Sequence, residues 1–174
     1  MTPLQKIAMG LVIVVVDASL RGFDAVPDVL GWILVVVGLV DLRAVLPGSG
    51  LLVALAAVSA GVSVGLLWPG LPGAFPESTG WLLSLPQLAF SSMLCASVAS
   101  LAADEADIVR RFSWLRWVFV ALVFAPILLY GGGVDALLIP IAVVTVAANV
   151  YLIYVLFRVS RRPYAVVPND VVAG

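Results

Sequence analysis

The chain has 174 residues, of which 63% are hydrophobic and 11% are charged, and its formal net charge is −1. Soluble domains average about 45–50% apolar and about 25% charged residues, and a core of this size cannot hide the excess apolar surface. The composition therefore indicates a protein in contact with lipid, and its charge balance gives no reason to expect a nucleic-acid partner.

The composition also excludes several kinds of chemistry. The chain contains no histidine, which removes the commonest general base and the usual zinc and haem ligand. Its one cysteine, Cys95, can form neither a disulfide nor a CxxC redox pair within the chain. The sequence has no nucleophile elbow, no His-Glu-x-x-His motif and no phosphate-binding loop. We therefore expect a protein that is not an enzyme and that holds no cofactor and no metal.

The predicted elements are all helices. A helix that crosses the hydrocarbon core of about 30 Å needs about 20 mostly apolar residues. Six windows reach or approach this length, at residues 4–20, 27–46, 51–68, 81–103, 114–130 and 134–158. The connections are brief, so consecutive helices should be antiparallel neighbours. The sequence predicts an all-α, polytopic transmembrane bundle of about six helices in one domain, residues 1–162, followed by a loosely ordered cytoplasmic tail, residues 163–174.

The densest charge lies where the first predicted helix gives way to the second, at Asp17, Arg21, Asp24 and Asp28. Asp17 and Arg21 are four residues apart, in the order that favours an ion pair on a helix, and ionisable groups at membrane depth are usually paired. Asp28 falls in the first turn of the second helix, where the helix dipole favours an anion. Two interpretations stay open: a sharp turn with capping carboxylates, or an outward-facing site that binds a cation or a zwitterionic head group.

The segment around this turn carries a resemblance. Its sequence, FDAVPDVLGWILVVVGLVDLR from Phe23 to Arg43, resembles the pattern F-D-x-x-P-D-x-x-G-[YW]-x-L of small multi-pass bacterial membrane proteins. The pattern fixes two acids, a proline and a glycine. The resemblance implies a location in the bacterial plasma (inner) membrane, and it brings no activity with it.

Small residues mark the faces that we expect to pack. The second predicted helix carries Gly31 and Gly38, which are seven residues apart and share one face. The third carries Ala57, Gly61 and Gly65 at four-residue spacing, a pattern that lets two helix backbones approach closely. We expect these residues to pack against other helices of the same chain, with a homodimer seam as the alternative.

Polar side chains mark two further helix faces. The fourth predicted helix carries a stripe at spacings of three, four and four residues, formed by Ser84, Gln87, Ser91 and Cys95. The sixth carries Thr145 and Asn149, four residues apart near mid-membrane. The two faces could line a solvated pathway, or they could hydrogen-bond across a helix interface, where such bonds are worth about 0.6 kcal/mol.

The basic residues predict the orientation. If the N-terminus is cytoplasmic, eight of the nine basic residues fall in inner segments and Arg21 alone falls in an outer one. Such a bias requires an even number of spans and predicts both termini in the cytoplasm. Trp32 and Trp81 near the outer ends, with Trp114 and Trp117 near an inner end, fit the aromatic belts of a membrane protein.

Two functions fit these patterns. The first is binding or transport of a small molecule or an ion through the outer acidic site. The alternative is a non-catalytic accessory or assembly protein that binds a partner membrane protein, or a second copy of itself, through its small-residue faces.

Overall fold

A computed structural model describes residues 1–19, 26–66, 77–127 and 135–162. Of these residues 88% are helical and none forms a strand, which confirms the all-α prediction. The six α-helices are α1 (Pro3–Ser19), α2 (Val26–Asp41), α3 (Ser49–Leu66), α4 (Glu77–Leu101), α5 (Ala106–Pro126) and α6 (Leu138–Val159), with a short 3₁₀ turn at Asp135–Leu137 before α6. The predicted tail, residues 163–174, lies outside the described residues.

The first helix begins at a capping box. The backbone N–H of Thr2 donates to Gln5 Oε1 at 3.0 Å, and the backbone N–H of Gln5 donates to Thr2 Oγ1 at 3.3 Å. Pro3 occupies the first helical position, where its missing N–H leaves no partner unpaired. The chain therefore enters the bundle through a start signal that is local in sequence.

The fifth helix begins earlier than the apolar window predicted. It starts at Ala106 rather than Trp114. The apolar window missed the first two turns because they are charged, and they carry an ion pair between Arg110 and Asp107 of 2.8 Å. Helix formation requires backbone hydrogen bonds and not lipid, so a polar turn can extend a helix beyond its apolar segment.

The helices form a closed ring in the order of the sequence. Each helix contacts the next one along the chain, and α6 returns to contact α1. The ring is filled by a continuous apolar core in which Trp32 of α2 and Phe90 of α4 meet edge to face, with ring centroids 5.3 Å apart. Trp32 is only 1% exposed. Its prediction as a belt residue is wrong, because its ring points between the helices rather than toward a membrane interface.

The ring has two chemically different ends. Lys6 at the start of α1 pairs with Asp41 at the end of α2, and Glu105 before α5 pairs with Arg162 after α6. We call this the charged end. The opposite end, which we call the cavity end, holds the last turns of α1 and α5 and the first turns of α4 and α6.

Three helices are long and apolar enough to cross a membrane: Ser49–Leu66, Trp81–Leu101 within α4, and Leu138–Val159. Residues Pro3–Val16 of α1 form a shorter apolar segment. The α2 helix has 16 residues, and α5 carries an acid and three arginines in its first half. The structure thus bears out the prediction of apolar spanning helices for three of the six windows.

Candidate functional site

A cavity of about 420 Å³ lies between α1, α4, α5 and α6 at the cavity end. Its polar wall comes from two helices that face each other, with Ser84 and Gln87 on α4 and Thr145 and Asn149 on α6. Its apolar wall is formed by Val15, Leu88, Leu122, Pro126, Ile141 and Val146. Four of the five residues predicted as a polar pathway are therefore brought together by the ring closure of the bundle.

The helices themselves already satisfy the donors of three of these side chains. Ser84 Oγ donates to the carbonyl of Trp81 at 2.7 Å, Thr145 Oγ1 donates to that of Ile141 at 2.8 Å, and Asn149 Nδ2 donates to that of Thr145 at 2.8 Å. Such bonds to the preceding turn are the usual way in which polar side chains are tolerated within an apolar helix. They leave the hydroxyl and amide oxygens as acceptors. This includes the amide oxygen of Asn149, a residue that is only 6% exposed.

The cavity also contains groups whose hydrogen-bonding capacity is unused by the described part of the chain. The buried indole Nε1 of Trp81 has no acceptor among the described residues, and the amide of Gln87 lines the cavity. Trp81 is a site residue that the sequence reasoning missed, because its position at a helix end suggested a membrane belt. The cavity thus offers the side-chain amide of Gln87 beside the hydroxyl and amide groups of Ser84, Thr145 and Asn149.

Ser91, the fifth predicted pathway residue, lies one turn beyond Gln87 and does not line the cavity. It is fully buried in the core, and its Oγ has no hydrogen-bond partner among the described residues. Cys95, one turn further, is also fully buried. The predicted stripe is therefore divided into a cavity-lining part, Ser84 and Gln87, and a part closed off by core packing.

The predicted acidic hairpin is described only in part. Arg21 and Asp24 lie outside the described residues, as does the side chain of Asp17, whose backbone belongs to the last turn of α1. Asp28 occupies the first turn of α2, where the helix dipole stabilises a carboxylate. Its Oδ1 is shielded from solvent, and it takes part in interactions of its own. The ion pair between Asp17 and Arg21 stays a prediction.

Two of the glycines predicted for helix packing lie against α1. A Cβ at Gly31 would come within 2.7 Å of the carbonyl oxygen of Gly10, and a Cβ at Gly38 would come within 2.7 Å of Ile7 Cγ1 and 2.8 Å of the Pro3 carbonyl oxygen. Gly10 is a contact that the sequence reasoning missed, since its own helix shows no small residue at four-residue spacing. Its missing side chain is what admits Gly31.

The stripe on α3 behaves differently, and its expected packing within the chain is wrong. Ala57, Gly61 and Gly65 are all exposed, and a Cβ at Gly61 or Gly65 would meet no atom within 4 Å. The buried face of α3 is instead formed by Leu52, Ala56, Ser59 and Ser63. Four-residue spacing aligns residues on one face but does not say which face turns inward.

The described residues contain no cluster of three or more acidic, cysteine or histidine side chains that could hold a metal ion. Comparisons with family models, with curated proteins and with solved structures yield no match to this chain. The geometry of the bundle is therefore the basis for inferring a function.

Proposed function

We propose that the protein is a six-span membrane protein of the plasma membrane that binds a small uncharged molecule in the cavity and takes part in its transport. The observation that carries the proposal is the cavity between four helices, in which polar side chains of α4 and α6 face each other and the remaining lining is mostly apolar. Its volume of about 420 Å³ falls within the range of about 300–1,000 Å³ that is usual for small-molecule sites.

The cavity's chemistry selects the class of ligand. The described residues that line it include hydroxyl, amide and indole groups but no ionisable side chain. A bare ion would lose its hydration there without gaining an opposite charge, which is very costly in an apolar surrounding. A neutral molecule with hydroxyl or amide groups could accept from Gln87 and donate to Asn149. The sequence predicted a small molecule or an ion at the acidic hairpin, whereas the cavity favours a neutral small molecule and a site between α4 and α6.

The proposed orientation places the charged end in the cytoplasm and the cavity end outside. It is supported by the excess of basic residues in the segments of the charged end. In this orientation the cavity would open toward the outer leaflet, and the closed core at Ser91 and Cys95 would separate it from the cytoplasm. Movement of a bound molecule would then require the helices to rearrange around Ser91.

Cysteine labelling tests the cavity and the orientation together. In a Cys95→Ser background, Ser84→Cys and Thr145→Cys should react with a membrane-impermeant thiol reagent added outside intact cells. A neutral reagent should react faster than a charged one of the same size, because the cavity has no charge to receive an ion. Uncharged polyols and amides, screened one at a time, should slow the reaction if they occupy the cavity.

Two matched variants control this experiment. Ser91→Cys is buried away from the cavity, so it should not react. Ala57→Cys faces outward from α3, toward lipid in the proposed membrane location, and should not react with a reagent in water either. If both cavity cysteines stay unlabelled in folded protein, the cavity is closed to water and the proposal fails. If they react only in inside-out vesicles, the proposed orientation is inverted.

The second candidate function is that of an accessory protein, and the outward-facing stripe of Ala57, Gly61 and Gly65 on α3 favours it. Exposed small residues allow a helix of another chain to approach closely in lipid. A Gly61→Leu variant would then lose its partner, or its own dimer, while it keeps the thermal stability and the cavity labelling of the wild type. An unchanged oligomeric state of Gly61→Leu would count against this candidate.

A further inference from the structure

We propose that the α5–α6 surface near the charged end is a binding site for an anionic phospholipid. The site is separate from the cavity and depends only on the membrane location of the bundle. One acyl chain would lie in an apolar groove between α5 and α6, and the phosphate would be held by Arg158 and Arg161. Three observations carry this inference.

The first observation is a stripe on α6 whose polarity changes in the order of a phospholipid. Residues at alternating spacings of three and four share this face, in the order Val144, Ala147, Tyr151, Tyr154 and Arg158, and Arg161 follows in the turn after the helix ends at Val159. The apolar residues come first, the two tyrosines follow, and the arginines stand at the helix end. The rise from Val144 to Arg158 is roughly 21 Å at 1.5 Å per residue, which is roughly the thickness of one leaflet with its head groups.

The second observation is that two hollows in the protein surface lie along this stripe. An apolar groove of about 580 Å³ is lined by Trp114, Val118, Val144, Ala147, Ala148 and Tyr151. A second hollow of about 340 Å³ is lined by Tyr154, Phe157, Arg158 and Arg161. Tyr151 and Tyr154 join the two, since their rings stack with centroids 6.2 Å apart and planes 24° apart. An acyl chain and a head group could therefore occupy adjoining spaces.

The third observation is the state of the arginines at the charged end. Arg110 pairs with Asp107, Arg162 pairs with Glu105, and Arg111 donates to the hydroxyl of Tyr151 at 3.3 Å. Arg158 and Arg161 have no ion-pair partner among the described residues, and no carboxylate is found among the residues of their hollow. Two guanidinium groups without a carboxylate favour a ligand with net negative charge, because a phosphate can accept paired N–H bonds from each.

The proposal is tested by lipid retention on the purified full-length protein. Phosphatidylglycerol and phosphatidylcholine with identical acyl chains are titrated in detergent, and bound lipid is counted by native mass spectrometry. Wild type should retain phosphatidylglycerol in preference to phosphatidylcholine. The double variant Arg158→Gln/Arg161→Gln should weaken phosphatidylglycerol binding about thirtyfold, since each of the two basic residues near a membrane surface is worth about 1 kcal/mol toward anionic lipid.

A matched double variant separates a site from general charge attraction. Arg43→Gln/Arg110→Gln removes the same charge from the same end of the bundle but from outside the groove. It should retain phosphatidylglycerol as wild type does. If the two double variants lose the lipid equally, or if Arg158→Gln/Arg161→Gln binds like wild type, the proposed site does not exist.

A third variant tests the acyl chain. Ala147→Phe would fill the apolar groove without changing the charge, and should weaken binding of long-chain phosphatidylglycerol. It should leave the weak binding of glycerol phosphate, which has no acyl chain, unchanged. Undiminished long-chain binding by Ala147→Phe would overturn the placement of the lipid between α5 and α6. Melting temperatures of all variants in the same detergent show whether each is folded.

Discussion

The pairs α1–α2 and α5–α6 are both consecutive antiparallel helices, yet they are held together in different ways. In α1–α2 the backbones meet at Gly10, Gly31 and Gly38, where no side chain could be inserted without displacing an atom. In α5–α6 the contact is less extensive, and it includes two aromatic rings, Trp114 and Tyr151, which meet edge to face at a centroid distance of 6.5 Å.

The difference shows how residue size decides whether two helices of a membrane bundle meet closely. We call the α1–α2 contact the closed seam and the α5–α6 contact the open seam. Lipid supplies no hydrophobic force between apolar helices, so their association depends on close packing and a few polar contacts. Glycine gives α1–α2 that close packing. Neither α5 nor α6 contains a glycine, and the pair borders the cavity at one end and the apolar groove at the other. We expect ligands at the open seam and rigidity at the closed one.

The largest effect should come from adding one methyl group to the closed seam. Gly31→Ala places a Cβ within 2.7 Å of the Gly10 carbonyl oxygen and 2.8 Å of Val14 Cγ2. Because backbone is on one side, the helices must separate, and we expect a loss of about 1–3 kcal/mol in the free energy of unfolding. Thermal melting in detergent measures it.

The matched control for this change is Gly61→Ala on α3. A Cβ there meets no atom within 4 Å, and alanine forms helices more readily than glycine by up to about 1 kcal/mol. Gly61→Ala should therefore leave stability unchanged or slightly raised. If both variants lower the melting temperature by the same amount, the contrast between a closed and an exposed glycine face is wrong.

A smaller effect is expected from the ion pair that ties the closed seam at the charged end. Lys6 Nζ and Asp41 Oδ2 are 2.6 Å apart, with side chains 29% and 38% exposed. Partly exposed pairs contribute at most about 1 kcal/mol and weaken with salt. A double-mutant cycle with Lys6→Gln and Asp41→Asn measures the coupling. A coupling that is unchanged between low and high salt would contradict this placement at the surface.

The smallest effect is expected at the open seam. Tyr151→Phe removes the bond from Arg111, which is long at 3.3 Å, and keeps the ring contacts with Trp114 and Tyr154. We expect a loss of about 0.5 kcal/mol or less in the same melting assay. A loss as large as that of Gly31→Ala would mean that the hydroxyl, rather than the rings, holds α5 and α6 together.

Helix content followed from the sequence because it depends on local properties. The apolar windows located all six helices. The start of α5 was predicted eight residues too late because hydropathy cannot detect a charged turn such as Asp107–Arg110. The capping box at Thr2 and Gln5 is the kind of signal that would have given a helix start directly.

The faces were harder to predict because they depend on how each helix is rotated within the ring. Spacing aligned Gly61 with Gly65, and equally Ser84 with Gln87, but it could not tell that the first pair turns outward and the second into a cavity. Trp32 is a similar case, since its place near a helix end did not indicate that its ring would pack against Phe90 in the core. Contacts between distant segments decide these outcomes.

The ring closure by α6 has a consequence for assembly during synthesis. Since each helix contacts its predecessor, the first five can insert and pack as they emerge, with most contacts between sequence neighbours. Val15 on α1 meets Ile141, Thr145 and Asn149 around the cavity only after α6 has docked. A chain that stops after α5 would contain the closely packed α1–α2 pair but only half of the cavity wall. The cavity is therefore the last part of the described bundle to form.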